Sequence, residues 1–159
     1  IQLKTVVRKN GRIKVRFWIT MVSVLALDQL SKWWIVANYQ VGESHALLGQ
    51  WLHLTYVQNR GAAFGIMPGQ SWFFLTAALI VIIGLMYYNL RYSVDRLVQI
   101  MMGLIVAGAL GNFIDRIRLR YVIDFFDLGW WPVFNIADMA VVVGGCLLVL
   151  HMFFFMKEG

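Results

Sequence analysis

With 159 residues, 60% of them hydrophobic and only 14% charged, the chain carries little more than half the charge of a soluble domain, where about 25% is usual. That balance excludes a free-standing soluble enzyme and points to one integral membrane domain, residues 1–159. The net charge of +6 comes with one cysteine, so neither a disulfide framework nor a cysteine-based metal site can be assembled.

The first sixteen residues hold Lys4, Arg8, Lys9, Arg12, Lys14 and Arg16 and no acid. Such a tail anchors to anionic lipid at about 1 kcal/mol per charge, and membrane lipid rather than nucleic acid is its expected partner. The chain starts at Ile1 rather than Met, so a start residue or short segment is expected before it. Four apolar stretches follow, at about 17–38, 71–90, 97–114 and 136–156, each near the ~20 residues that cross about 30 Å of hydrocarbon. Asp28 and Lys32 interrupt the first, and no small-x-small cleavage site follows it, so it reads as an uncleaved anchor. Between the first two spans, residues 51–57 alternate apolar and polar, which predicts a strand with Leu52, Leu54 and Tyr56 on one face. Next comes N-R-G-A-A-F-G, residues 59–65, with Pro68 beyond. It predicts a tight loop dipping toward the bilayer, where non-helical backbone must be covered by protein or water. Cys146 lies in the last apolar run and is expected to be buried packing. The fold class expected is an all-α membrane protein: four transmembrane helices with a small extracytoplasmic β-sheet and a surface loop.

Arg91 and Arg96 sit between the second and third spans and Lys157 near the end of the chain. With the basic tail they place both termini and the middle loop in the cytoplasm. Arg60, Arg116, Arg118 and Arg120 fall on the other side and weaken this bias without reversing it. In that orientation Asp28 lies near mid-membrane, with Lys32 one turn nearer the exterior. Asn112, Asp115 and Arg116 then end the third span, and Asn135 and Asp138 begin the fourth. All the unusual polar groups share one depth range, which points to one site.

Each Asp, Lys or Arg at a helix centre costs roughly 2.5–3.5 kcal/mol and needs a reason. Asp124, in V-I-D-F, and Asp138, in F-N-I-A-D, are joined by a loop containing Gly129 and Pro132 that lets the chain fold back. Two carboxyl groups sharing a site hold one proton between them, a pair able to activate water and protonate a leaving amine. Alternatively, Asp138 is a helix N-terminal acid and Asp124 caps loop amides. Asn135 shares a face with Asp138 and suits an orienting role. Asp28 and Lys32, four apart, suit an intrahelical ion pair or a substrate role. Asp115 and Arg116 read either as an architectural pair or with Arg116 holding the loop of Asp124. Gly103, Ala107 and Gly111 form a helix-packing ladder. His45, His53 and His151 make no H-E-x-x-H motif and no G-x-S-x-G occurs, so no zinc centre, serine nucleophile, metal or organic cofactor is expected. The residues alone also leave open a small proton-coupled transporter using intramembrane Asp and Lys, or a non-catalytic assembly subunit.

Five blocks in order, D-Q-L-S-K from Asp28, N-R-G-A-A-F-G from Asn59, G-N-F-I-D-R from Gly111, V-I-D-F from Val122 and F-N-I-A-D from Phe134, resemble the bacterial lipoprotein signal peptidase family, signal peptidase II. The resemblance implies a membrane aspartyl endopeptidase that removes the signal peptide of diacylglyceryl-modified prolipoproteins, cleaving before the lipidated cysteine. It implies Asp124 and Asp138 as the catalytic pair, with Asp28, Lys32, Asn59, Gly61, Asn112, Asp115, Arg116 and Asn135 as supporting or substrate-binding positions. It further implies a monomer in the bacterial cytoplasmic (inner) membrane, active toward the extracytoplasmic side. Ala107 departs from the pattern, where the family commonly has a second glycine before Gly108, and bears on packing only. The lipidated cysteine belongs to the substrate, so Cys146 says nothing about it. The substrate's lipid chains are expected to stay in the bilayer while its signal helix lies along the bundle, with the 59–65 loop closing over it.

Overall fold

The computed structural model describes residues 14–61 and 71–155. The described residues form helices α1 (Val15–Asn38), α2 (Ser71–Arg91), α3 (Arg96–Leu119) and α4 (Ile136–Phe155), and strands β1 (Ser44–Leu48), β2 (Leu52–Asn59) and β3 (Val122–Asp127). All four helices are long and apolar enough to cross a membrane. The basic tail through residue 13, residues 62–65 of the predicted 59–65 loop with Pro68 beyond it, and Lys157 lie outside the described residues.

Helix α3 is the hub, packing against α1, α2 and α4 in turn. Asp95 starts it, accepting from the backbone N–H groups of Leu97 at 2.8 Å and Val98 at 2.9 Å, which satisfies two donors that a helix start leaves free. Arg120 ends it with φ 70, and its N–H returns to the Arg116 carbonyl at 3.1 Å. The helix therefore runs past the expected end near 114, and Asn112, Asp115 and Arg116 lie within its last turns. Charge alone suggested an earlier stop, whereas partners on other elements keep the charged turn helical.

Met102, Val106 and Ala107 of α3 meet Phe17, Met21 and Ile82 in the main core. Small residues set the spacing. A Cβ on Gly103 would lie 2.9 Å from the Phe17 carbonyl oxygen, and one on Gly111 would strike the Asp28 carboxylate. The Gly103–Ala107–Gly111 ladder is thus the face toward α1. Gly108 instead faces α4, where an added Cβ would collide with the Ala137 carbonyl and Val141. Much of the bundle exterior is apolar, including Trp33, Ile80, Val142 and Phe153, as a lipid-facing surface requires. Cys146 belongs to this exterior and is exposed, correcting the expectation of burial: α4 is apolar on every side, so hydrophobicity did not mark its packed face.

The strands form one antiparallel sheet in the order β1-β2-β3. The predicted strand is β2, extended to Asn59. Its neighbours escaped prediction because β1 is exposed throughout and β3 is mostly buried, so neither alternates. The Ser44 and Thr55 hydroxyls lie 2.8 Å apart, and Thr55 donates to Asp127 at 2.8 Å, a line of polar contacts across all three strands. Tyr56, Ile123 and Phe125 pack with Ile35, seating the sheet on the end of α1.

Gly108→Ala is expected to cost about 1–3 kcal/mol through overpacking at the α3–α4 contact. Gly145→Ala, where a Cβ meets nothing within 4 Å, is the matched control. Thermal unfolding in detergent should lower the melting temperature for the first variant only.

Candidate active site

The loop between Asp127 and Phe134 is closed by backbone pairing. Phe134 accepts from the N–H groups of Phe125 at 3.0 Å and Phe126 at 2.8 Å and donates to the Phe126 carbonyl at 3.0 Å. This bridge folds the start of α4 back onto β3 and brings Asn135 beside Asp124. Asn135 then caps α4 reciprocally. Its side-chain oxygen accepts from the Asp138 N–H at 2.9 Å, while its own N–H donates to Asp138 Oδ2 at 3.2 Å, an arrangement that pairs two donors at the helix start. The alternative reading of Asp138 as a helix N-terminal acid is therefore correct as far as it goes.

The same asparagine reaches the other carboxyl group. Asn135 Nδ2 lies 2.7 Å from Asp124 Oδ1, 3.1 Å from Asn112 Oδ1 and 3.2 Å from the Ile123 carbonyl. Asp124 Oδ2 accepts from Asn59 Nδ2 at 2.9 Å, and Asn59 is held in turn by the Gly61 N–H at 3.0 Å. Asp138 Oδ1 accepts from Asn112 Nδ2 at 2.7 Å. Three amide side chains and one backbone N–H thus hold all four carboxyl oxygens. Asp124, 2% exposed on β3, is a strand residue rather than a loop cap. Burial first, and then the neighbouring Asp138, push its carboxyl up to about 7, while bonds from Asn59 and Asn135 pull the other way.

Behind these amides lies an ion cluster. Lys32 Nζ is 2.8 Å from Asp28 Oδ2, 2.8 Å from Asp115 Oδ2 and 3.0 Å from Asn112 Oδ1, so the three donors of the ammonium have three acceptors. Asp28 Oδ1 accepts from the Ala137 N–H at 2.9 Å, a carboxylate from α1 placed at the positive end of α4. Asp115 Oδ2 accepts from the Ile123 N–H at 3.3 Å, next to Asp124. Gln29, which sequence reasoning passed over, bridges the two acids, with Nε2 3.1 Å from Asp28 Oδ2 and 3.2 Å from Asp115 Oδ1. Its only sequence signal was its place between Asp28 and Lys32.

The two sets of predicted residues separate in space. Asn59, Gly61, Asn112, Arg116, Asp124 and Asp138 line a cavity of about 450 Å³, whereas Asp28, Lys32, Asp115 and Asn135 stand behind its wall. The expected Asp115–Arg116 pair is corrected: Asp115 turns to Lys32, since consecutive helical side chains do not face one another. Arg116 enters the cavity, 5.4 Å from the Phe74 ring centre and with Nη1 3.5 Å from the Asn112 carbonyl. The apolar lining from Ala77, Val81, Trp131 and Phe134 carried no motif to mark it.

Four membrane-length helices and a small sheet closing on one polar cavity define an integral membrane enzyme fold. Two solved structures share it, both titled as a bacterial membrane enzyme determined by the in meso method. One is 32% identical with a TM-score of 0.82, covering 98% of each chain. The other is 32% identical with a TM-score of 0.80, covering 95% of this chain and 98% of that one. Residues 20–154 match the model of the family Signal peptidase (SPase) II. The lipoprotein signal peptidase of Syntrophomonas wolfei is 54% identical over 136 residues, 86% of this chain and 91% of that protein. That of Halothermothrix orenii is 45% identical over 135 residues, 85% and 93% of the two chains. The chain belongs to the signal peptidase II family and is a multi-pass membrane peptidase, which sets the transporter reading aside.

Lys32→Met would leave Asp28 and Asp115 buried without their cation and is expected to destabilise the bundle by about 3–5 kcal/mol. Adding Asp28→Asn should recover part of that loss. Thermal unfolding in detergent checks both, and a melting temperature unmoved by Lys32→Met would refute the neutralising role.

Proposed function

We propose that this peptidase is of the aspartic type, with Asp124 and Asp138 as its catalytic pair, and that it cuts the signal peptide from diacylglyceryl-modified prolipoproteins just before the lipidated cysteine. One observation carries the assignment. Asn135 donates to Asp124 through its amide and brackets Asp138 through its carbonyl and backbone N–H, and both acids line one cavity. The pair titrates as a unit holding a single proton. One carboxylate takes a proton from water as the oxygen attacks the scissile carbonyl carbon, while the protonated partner donates to the carbonyl oxygen. Collapse of the tetrahedral intermediate breaks the C–N bond as one member of the pair protonates the departing amine and the other takes back a hydroxyl proton, leaving the new carboxyl group and the pair with its single proton. Arg116 is proposed to hold substrate backbone in the cavity, and the remaining amides to keep the two carboxyl groups in register.

The proposed orientation puts the sheet end outside the cytoplasmic membrane of a bacterium, with the enzyme acting as a single domain and a monomer. Supporting it, Arg91 and Arg96 lie at the opposite end between α2 and α3, on the side that the positive-inside rule assigns to the cytoplasm. Trp33, Trp34, Trp51, Trp72, Trp130 and Trp131 are exposed around the sheet end, as an interfacial aromatic belt would be.

Asp124→Asn and Asp138→Asn, assayed on a lipidated prolipoprotein in detergent, are each expected to lower kcat on the order of 10³-fold or more with unfolding temperatures retained. Activity surviving in either folded variant would overturn the assignment.

With the Asp124 carboxyl raised to about 7, kcat/KM should fall as pH rises through that region and the shared proton is lost. Asn59→Ala removes a hydrogen bond that lowers this value, so its alkaline limb should move to higher pH. A pH–rate profile of both proteins decides it, and a limb moving downward would contradict the role of Asn59.

A further inference from the structure

A second cavity, about 470 Å³, lies against the first turns of α4, on a side where Met139 and Val143 are exposed. It shares Trp131, Phe134, Val142 and Asp138 with the cavity described above, and adds Leu128, Trp130, Met139 and Val143. Its chemistry is different. The first cavity offers Asn59, Asn112, Arg116 and Asp124 as polar partners, whereas the second has a single ionisable lining residue, Asp138, at the wall the two have in common.

We propose that this second cavity seats the upper acyl chains of the substrate's diacylglyceryl group, while the polar cavity takes the peptide backbone. The proposal rests on the function assigned above and specifies where its lipid goes. Met139 and Val143 are one helical turn apart on α4, 46% and 48% exposed, so they form a continuous apolar strip facing hydrocarbon. Trp130 is 76% exposed at the other rim, and tryptophan at such a position sits at headgroup depth, where the glyceryl unit of a lipid lies. Gly129, at φ 77 and with its N–H on Asp127 Oδ1 at 2.8 Å, makes the turn that presents Leu128 and Trp130 to this space. A diacylglyceryl cysteine has the matching pattern, a polar attachment point followed by two apolar chains.

Moving acyl chains from bilayer to protein gains little from hydrophobicity, because lipid tails are as apolar as the lining. The seat acts by placement. Holding the glyceryl end at the rim fixes the adjoining peptide bond against Asp138 and removes the search for that geometry. Met139 and Val143 thereby become specificity determinants that take no part in the chemistry.

The test compares one prolipoprotein peptide carrying either a dihexadecanoylglyceryl or a diacetylglyceryl cysteine. Val143→Trp and Met139→Trp fill the second cavity from its lipid side. Each is expected to lower kcat/KM for the long-chain substrate at least tenfold more than for the short-chain one, mainly through KM, with the unfolding temperature in detergent reporting correct folding. Equal loss on both substrates, or loss on neither, overturns the proposal. A long-chain substrate with a photoactivatable diazirine on its acyl chain, bound to Asp124→Asn enzyme, gives an independent readout that needs no tryptophan variant. Cross-links at Met139 or Val143 are expected, and cross-links confined to α1 or α2 refute the seat. Failure of the functional assignment would show differently, as wild-type enzyme cleaving neither substrate or Asp124→Asn cleaving both.

Discussion

A single buried ammonium holds the polar half of this bundle together. Lys32 is 2% exposed and sits between Asp28 of its own helix and Asp115 of α3. Each acid, besides the contact from Gln29, accepts from the backbone of an element that carries one of the proposed catalytic pair. Asp28 takes the Ala137 N–H in the first turn of α4, and Asp115 takes the Ile123 N–H of β3. Without the cation, two carboxylates would face each other in a low dielectric, a strongly unfavourable state. With it, the same two acids tie α4 and β3 to α1 and α3. The ion cluster is thus a joint between helices and sheet, and the mutual position of Asp124 and Asp138 depends on it.

Neutral amides separate that joint from the cavity. Asn112 accepts from Lys32 with its oxygen, which leaves its nitrogen to donate to Asp138 and removes the ambiguity of an amide flip. Asn135 and Asn59 likewise present nitrogen to Asp124. Were a lysine in direct contact with either acid, its charge would favour the ionised form and resist the sharing of a proton. An amide fixes geometry with a smaller electrostatic bias. The choice of asparagine at these three positions follows from needing orientation without full charge, and the cation is kept one residue away.

How far this was legible in the sequence depended on whether the signal was local. Asp28 and Lys32 announce themselves at i,i+4, and the Asn135–Asp138 spacing already implied a shared face. The membrane spans were visible because length and hydropathy are properties of a segment. The destination of Asp115 was not visible: its neighbour in sequence, Arg116, is the obvious partner, yet the helix turns the two apart and Lys32 arrives from α1. Gln29 was overlooked for the same reason, since its bridging role exists only once α1 and α3 are side by side. Strands β1 and β3 lack alternation because one is exposed on both faces and the other largely enclosed. Cys146 was misplaced because a bilayer rewards apolar residues on the outside as well as within.

That last point governs how specificity can arise in such a protein. In water, an apolar substrate is drawn into an apolar pocket by burial; in lipid that gradient nearly vanishes, and recognition has to be made from position and from the few polar groups present. The cavity near Asp124 and Asp138 collects the polar groups at one end of the bundle, and the small residues of α3 allow them to be collected. Gly111 leaves room for the Asp28 carboxylate and Gly108 for the Ala137 carbonyl, so α1 and α4 approach the hub closely enough for Asp28 to reach the start of α4. A larger side chain at either position would separate helices by more than a hydrogen bond can span. The glycines of α3 therefore act on the proposed chemistry at second hand: they set the helix spacing at which the ion cluster closes, and the closed cluster fixes the start of α4 that carries Asp138.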